Sequence, residues 1–167
     1  MGFWMPPGLQ RVVAGLPTEY DRRWAWFGSM KGSGYFHGAV KDNNPHLSRA
    51  LDLIPFEGVV QRDRFERFIQ EFIKAFPKGR HGLATASRLL AMKRPDQFVC
   101  VDAKNRKNLC ADFGIPQARL NYDRYWGEIV ERILDAPWWN SPRPSAEPES
   151  TVWDARAAML DAIFYRE

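Results

Sequence analysis

The chain is poor in the residues that build metal centres and disulfide frameworks. Its 167 residues include two cysteines, Cys100 and Cys110, and three scattered histidines, His37, His46 and His81. Two cysteines exclude a disulfide framework, and alone they cannot complete a four-cysteine zinc or iron–sulfur site. No metal and no cofactor is therefore expected. Long hydrophobic runs are missing too, since none approaches the ~20 apolar residues that a membrane helix needs. The start, Met-Gly-Phe-Trp-Met-Pro-Pro, lacks the basic stretch and apolar core of a secretory signal. The expected setting is the reducing cytoplasm, with no membrane partner. Strand signals are scarce as well. Phe98-Val99-Cys100-Val101 is β-like, but no second run of matching quality could pair with it.

What is present suits a packed globule. The hydrophobic content is 45% and the charged content 26%, both ordinary, and a chain of this size hides about 70% of its unfolded surface. Twenty-four Lys and Arg against twenty Asp and Glu give a net charge of +4, a mild lean towards polyanions. The lean sharpens at Lys104, Arg106 and Lys107, which sit close together.

Helical periodicity dominates. Phe65, Phe68, Ile69, Phe72, Ile73 and Phe76 fall on one stripe of one helix, stopped by Pro77 and Gly79. Tyr122, Tyr125, Trp126, Ile129, Val130, Ile133 and Leu134 repeat the spacing and end at Pro137. A third stripe runs Trp153, Ala157, Leu160, Phe164, opened by a capping-box-like Thr151 and Asp154. Thr18 and Asp21 open another helix, carrying Trp24 and Phe27. Asn44 and Pro45 read as a cap and a first helical residue before Leu47, Ala50, Leu51 and Ile54. The fold expected is a single all-α domain over residues 1–167. A Pro-rich surface connection over 137–150 leads into a C-terminal helix over 151–165.

Residues 76–113 carry the most information. They predict a helix end, a tight turn, a helix from Leu83 to Lys93 closed before Pro95, and a short extended segment ending at Asp102. A further helix, from Asn105 to Phe113, follows. The turn Lys78-Gly79-Arg80-His81-Gly82 combines glycines, which permit tight turning and close approach to a ligand, with basic side chains. The N-terminus of the following helix offers free N–H groups suited to phosphate.

This segment resembles the helix-hairpin-helix DNA glycosylases, the endonuclease-III-like superfamily. Gly82, Thr85 and Ala86 match the family's Gly-x-x-Thr-Ala hairpin, Val101-Asp102 matches its acidic end, and the interval from Thr85 to Asp102 matches as well. The resemblance covers roughly forty residues, about a quarter of the chain, within a hairpin and catalytic segment over about 61–113. It implies a helical glycosylase fold, double-stranded DNA as partner, a monomer, and Asp102 as the catalytic carboxylate. Two departures shape the reading. Arg80 stands where family hairpins carry their first Gly, which suggests a differently shaped turn. Ala84 stands where bifunctional members carry the lysine that attacks the sugar. The implied enzyme is therefore monofunctional, using water and leaving an abasic site, and it has no iron–sulfur cluster.

The chemistry explains the residue types. Breaking an N-glycosidic bond builds positive charge on the sugar, so a fixed carboxylate stabilises the transition state and can orient the attacking water. The base must first leave the stack, which requires a phosphate anchor, a wedge and a pocket. Lys78, Gly79, Arg80, His81, Gly82, Ala84 and Thr85 are the expected anchor, with Lys104, Arg106 and Lys107 adding backbone contacts. Trp24, Trp26, Phe27, Met30, Lys31 and Tyr35 are the candidates for pocket or wedge. The target is a damaged or mismatched base in DNA repair, or a bulky modified base of phage DNA in bacterial defence.

Structural readings stand beside each of these. Asp102 suits a helix cap, the lysines and arginine suit a solvated face, and the hairpin suits a plain helix connection. The tryptophans suit a core, Cys100 a small buried hydrophobe, and Arg64, Glu66, Arg67 and Glu71 a solvent face. The Gly-rich stretch at 28–35 fits neither the P-loop nor the dinucleotide pattern. At the level of the whole protein, the rivals are a non-catalytic hairpin DNA-binding module and a helical protein-interaction domain.

Overall fold

The computed structural model of this protein describes Val13 and residues 33–164. The described residues are mostly helical and contain no strand. The chain divides into two compact units, Met1–Leu89 and Leu90–Glu167.

In the first unit, helix α1 (Gly34–Lys41) ends where Asn43 adopts a left-handed φ of 46°, a conformation that asparagine tolerates. The next helix, α2 (Pro45–Asp52), starts as the sequence predicts. The Asn44 side chain accepts a hydrogen bond from His46 N at 2.9 Å, and Pro45 occupies the first turn. Helix α3 (Arg62–Phe72) carries the phenylalanine stripe inward, with Phe65, Phe68 and Phe72 buried. A 3-10 turn, Ile73–Ala75, continues it. Phe72 lies 5.6 Å from Phe68 and 4.8 Å from Phe76, ring centre to ring centre. Ile73, in that tighter turn, is rotated out of the stripe and is 36% exposed.

The polar face of α3 departs from expectation at one residue. Arg64, Glu66 and Arg67 are exposed, but Glu71 is half-buried between α2 and the turn after α3. It accepts from Lys74 Nζ at 2.7 Å, Arg49 Nε at 2.7 Å and His46 Nδ1 at 2.9 Å. These partners, Lys74 foremost, hold its carboxyl down at about 2 from an ordinary 4.5. Glu71 thus ties α2 to α3, which pack along their apolar faces.

Helix α4 (Leu83–Lys93) has the predicted bounds and carries the chain from the first unit into the second. Arg94 closes it, its amide bonded to Leu90 O and its guanidinium held bidentately by Asp96 at 2.8 Å.

In the second unit, Phe98, Val99, Cys100 and Val101 are fully buried with no strand partner among the described residues. Buried carbonyls need donors, and side chains supply them. Tyr125 Oη donates to Val99 O and Asn105 Nδ2 to Cys100 O, each at 2.7 Å. Helix α5 (Arg106–Asp112) ends in a C-terminal motif. Ile115 N reaches Cys110 O across Gly114, whose φ of 66° favours glycine. The stripe from Tyr122 to Leu134 forms one helical run: α6 (Tyr122–Arg124), a π-helical stretch Tyr125–Val130, and α7 (Glu131–Asp135). Tyr125, Trp126, Ile129, Val130 and Ile133 are buried along it.

The C-terminal region differs from the single helix expected over 151–165. Two short helices, α8 (Glu149–Asp154) and α9 (Leu160–Phe164), are separated by turns. Tertiary bonds account for the break: Ala158 N donates to Pro95 O rather than to the preceding turn. The Arg156 guanidinium lies against the Trp139 and Trp153 rings and donates to both their carbonyls. Thr151 and Asp154 do not form a capping box. Thr151 bonds the Glu147 carboxylate, and Asp154 pairs with Arg143.

Ionised Glu71 contributes stability that is fully present above about 4.5 and is lost as pH falls towards about 2. Thermal melts should fall through that window, and Glu71→Gln should flatten the dependence. Burial pushes the Tyr125 phenol well above its ordinary range, so it remains a donor. Tyr125→Phe should cost about 2 kcal/mol in denaturant unfolding, because it orphans the buried Val99 carbonyl.

Candidate functional site

The predicted site residues lie on two structural pieces, one in each unit, and part of the set lies outside the described residues. Trp24, Trp26, Phe27, Met30 and Lys31 are in that last group, as is the helix expected after Thr18.

In the first unit, the hairpin turn is a 3-10 turn over Pro77–Gly79 followed by α4. Gly79 takes a φ of 68°, so the left-handed step falls one residue before Arg80. Arg80 itself keeps a negative φ of −77°, compatible with its side chain. This is the local reason the turn accommodates an arginine at this position. Gly82 has neither a positive φ nor any neighbour that an added Cβ would meet, so neither backbone strain nor crowding requires glycine there. Thr85 is buried, and its hydroxyl donates back to Gly82 O at 2.8 Å. Ala84 and His81 are half-buried. Arg80 is exposed, and its guanidinium lies 5.7 Å from the ring centre of Tyr35, which is itself 53% exposed. The fold therefore brings together one residue from the anchor set and one from the wedge set.

The second piece is Asp102 and the start of α5. Asp102 is half-buried. Its Oδ1 accepts from Lys104 N at 2.7 Å and Asn105 N at 3.0 Å, while its own N–H donates to Asn105 Oδ1 at 2.9 Å. This reciprocal bonding, in the pattern of a capping box, closes the turn that leads into α5, whose own N-cap is Asn105 with no side-chain cap bond. The Asp102 Oδ2 makes no hydrogen bond among the described residues. The carboxylate is thus held by one oxygen with the other left over. Lys104 and Lys107 are exposed on the same turn of chain, without ion pairs among the described residues. Arg106 behaves differently, donating through Nη2 to Gln117 O at 2.9 Å and Leu120 O at 3.0 Å. That guanidinium anchors α5 to the following turn.

Behind Asp102 stands a residue that sequence reasoning did not single out. Asn105 is completely buried, and its amide also donates to Asp161 Oδ1. The Asp-x-x-Asn spacing was a legible cap signal, but nothing in the pattern pointed to Asp161. A cavity of about 40 Å³ lies in the first unit, lined by Val13, Val40, Leu47, Leu51 and Leu89 among others. It has room for a water or two and is far too small for a nucleobase. Among the described residues, no group of three or more His, Cys, Asp or Glu is placed to hold a metal ion. None of the described helices is long and apolar enough to cross a membrane.

Fold and site together define a mostly helical protein with a basic, carboxylate-bearing helix start. Comparison with known proteins finds no matching family model, no matching curated protein and no matching solved structure.

The two glycines of the hairpin can be told apart by substitution. Gly79→Ala should destabilise the protein by about 1 kcal/mol through its left-handed backbone. Gly82→Ala should leave the unfolding midpoint unchanged. If the turn receives a DNA phosphate, Gly82→Ala should still weaken duplex binding several-fold in a fluorescence titration.

Proposed function

We propose that this protein is a monofunctional DNA glycosylase, with Asp102 as its essential carboxylate and double-stranded DNA as its partner. The observation that supports this best is the holding of Asp102: turn bonds occupy one oxygen, the other makes no bond among the described residues, and two exposed lysines follow it in the chain. A carboxylate fixed in this way needs no reorganisation to stabilise an oxocarbenium-like sugar. In the reaction the N-glycosidic electron pair leaves with the base, and a water oxygen bonds to the sugar carbon. The water's proton passes to Asp102 or to solvent. Lys104 and Lys107 hold the phosphate backbone without reading sequence. The exposed Arg80–Tyr35 pair serves the hairpin side, with Arg80 as a phosphate contact and Tyr35 as an aromatic face against an opened base pair. Ala84 offers no amine for a Schiff base, consistent with a water-using mechanism. The substrate is a damaged or mismatched base, or a bulky modified base such as those of phage DNA.

A second reading has its own observation. The bonds at Oδ1 explain an aspartate at position 102 as a turn closure alone, in a non-catalytic DNA-binding module. Asp102→Asn separates the two readings, because asparagine caps as well as aspartate and preserves the fold. The protein is incubated with a panel of duplexes, including phage genomes with modified cytosines, and aldehyde-bearing abasic sites are counted. The glycosylase reading expects sites on one substrate and a loss of at least a hundredfold in Asp102→Asn with binding intact. Salt-dependent binding without abasic sites on any DNA would favour the module.

A further inference from the structure

Asn105 makes hydrogen bonds from both ends of one buried amide, and their directions determine its orientation. Its Oδ1 accepts the N–H of Asp102, while its Nδ2 donates to Cys100 O and to the carboxylate of Asp161. Turning the amide over would set its oxygen against a carbonyl and a carboxylate, and its NH₂ against an N–H. All three contacts would become repulsive. Asp161 is 1% exposed and sits in α9, 56 residues from Asn105. A carboxylate, like the Cys100 carbonyl, is an acceptor whichever way it turns, so the two together select the donor end of the amide and leave the acceptor end for Asp102. A second bond joins the same elements, since Asn108 Nδ2 of α5 donates to Phe164 O of α9 at 2.9 Å.

We propose that Asn105 and Asp161 are positioning residues for Asp102: the buried Asp161 carboxylate orients the Asn105 amide, which holds the backbone of Asp102 and so aims its carboxylate. The proposal rests on the glycosylase reading for its catalytic meaning. Its structural content is independent of that reading. The C-terminal helix α9 thereby belongs to the machinery of the site, although it supplies no group that touches substrate. Asp161→Asn is the informative change, because an asparagine can present its own NH₂ to Asn105, which leaves the Cys100 carbonyl alone to set the orientation. Asn105→Asp is the complementary change, setting a carboxylate against Cys100 O and Asp161.

The test follows amide hydrogen exchange in the full chain by NMR. The expected result is at least tenfold faster exchange at the Lys104 and Asn105 amides in Asp161→Asn, with the Ile129 and Ile133 amides unchanged. Unchanged exchange at Lys104 and Asn105 would overturn the proposal. So would an even rise across the unit, which would make Asp161 a general stabiliser. Should Asp161→Asn fail to fold, Asp161→Ser, which is smaller and can donate as well as accept, is read in the same way.

On a DNA that the protein excises, Asp161→Asn should lower kcat about tenfold with KM unchanged. It should add nothing in the Asp102→Asn background, since a residue acting through another is non-additive with it. A full additional loss in that background, or a change confined to KM, would count against positioning. If the wild-type protein forms no abasic site on any DNA, the glycosylase reading fails alone, and the exchange result still decides the proposal.

Discussion

A buried stretch of chain that is neither helix nor strand has backbone groups with no regular partners, and it survives only where side chains replace those partners. Phe98–Val101 imposes this constraint on the second unit. Tyr125 serves the Val99 carbonyl and Asn105 the Cys100 carbonyl, so both side chains must be buried at fixed heights. Tyr125 reaches its partner from the π-helical stretch of the long helical run. Asn105 does so from the cap of α5, and the same amide then aims the preceding loop. The placement of Asp102 is in this sense a by-product of satisfying buried carbonyls.

The first unit is organised by a different balance. Its core is the phenylalanine stripe of α3 against α2, apolar and locally encoded. The polar fastening is concentrated in Glu71, which gathers two donors from α2 and a third from the turn after α3. The hairpin follows directly from the end of α3, because Phe76 is extended and Pro77 cannot continue the helix. The basic turn is therefore presented by a rigid stop in the chain. Its exposed Arg80 is steadied by the Tyr35 ring.

Only some of the basic positions present their charge to solvent. Lys104 and Lys107 extend into solvent, whereas Arg106 is spent on two carbonyls of the next turn. Arg88, unremarked in the sequence, is completely buried in α4 and donates to Val13 O. A basic residue near a motif is thus no guide to its availability: the guanidinium's several donors make it a good internal clamp, while the lysine ammonium stays hydrated.

Local physics made much of this protein legible in its sequence. The α2 cap at Asn44, the bounds of α4 before Pro95, the inward stripe of α3 and the buried run from Tyr125 to Ile133 all depend on neighbours within a turn or two. So does the turn closed by Asp102 and Asn105, because Asp-x-x-Asn is a short-range pattern. The rest was decided by contacts between distant residues. The expected C-terminal helix is broken because Ala158 bonds Pro95 and Arg156 bonds two tryptophan carbonyls. Phe98–Val101 forms no strand because side chains serve its carbonyls in place of a partner strand. Asp161 joins the site across 56 residues, and an interval of that length leaves no periodicity to read. The sequence by itself determined the helices whose caps and stripes are local, together with Asp102 and the basic residues near it. Only the tertiary structure decided which oxygen of Asp102 is spent, which basic residues remain outside, and which buried carboxylate stands behind them.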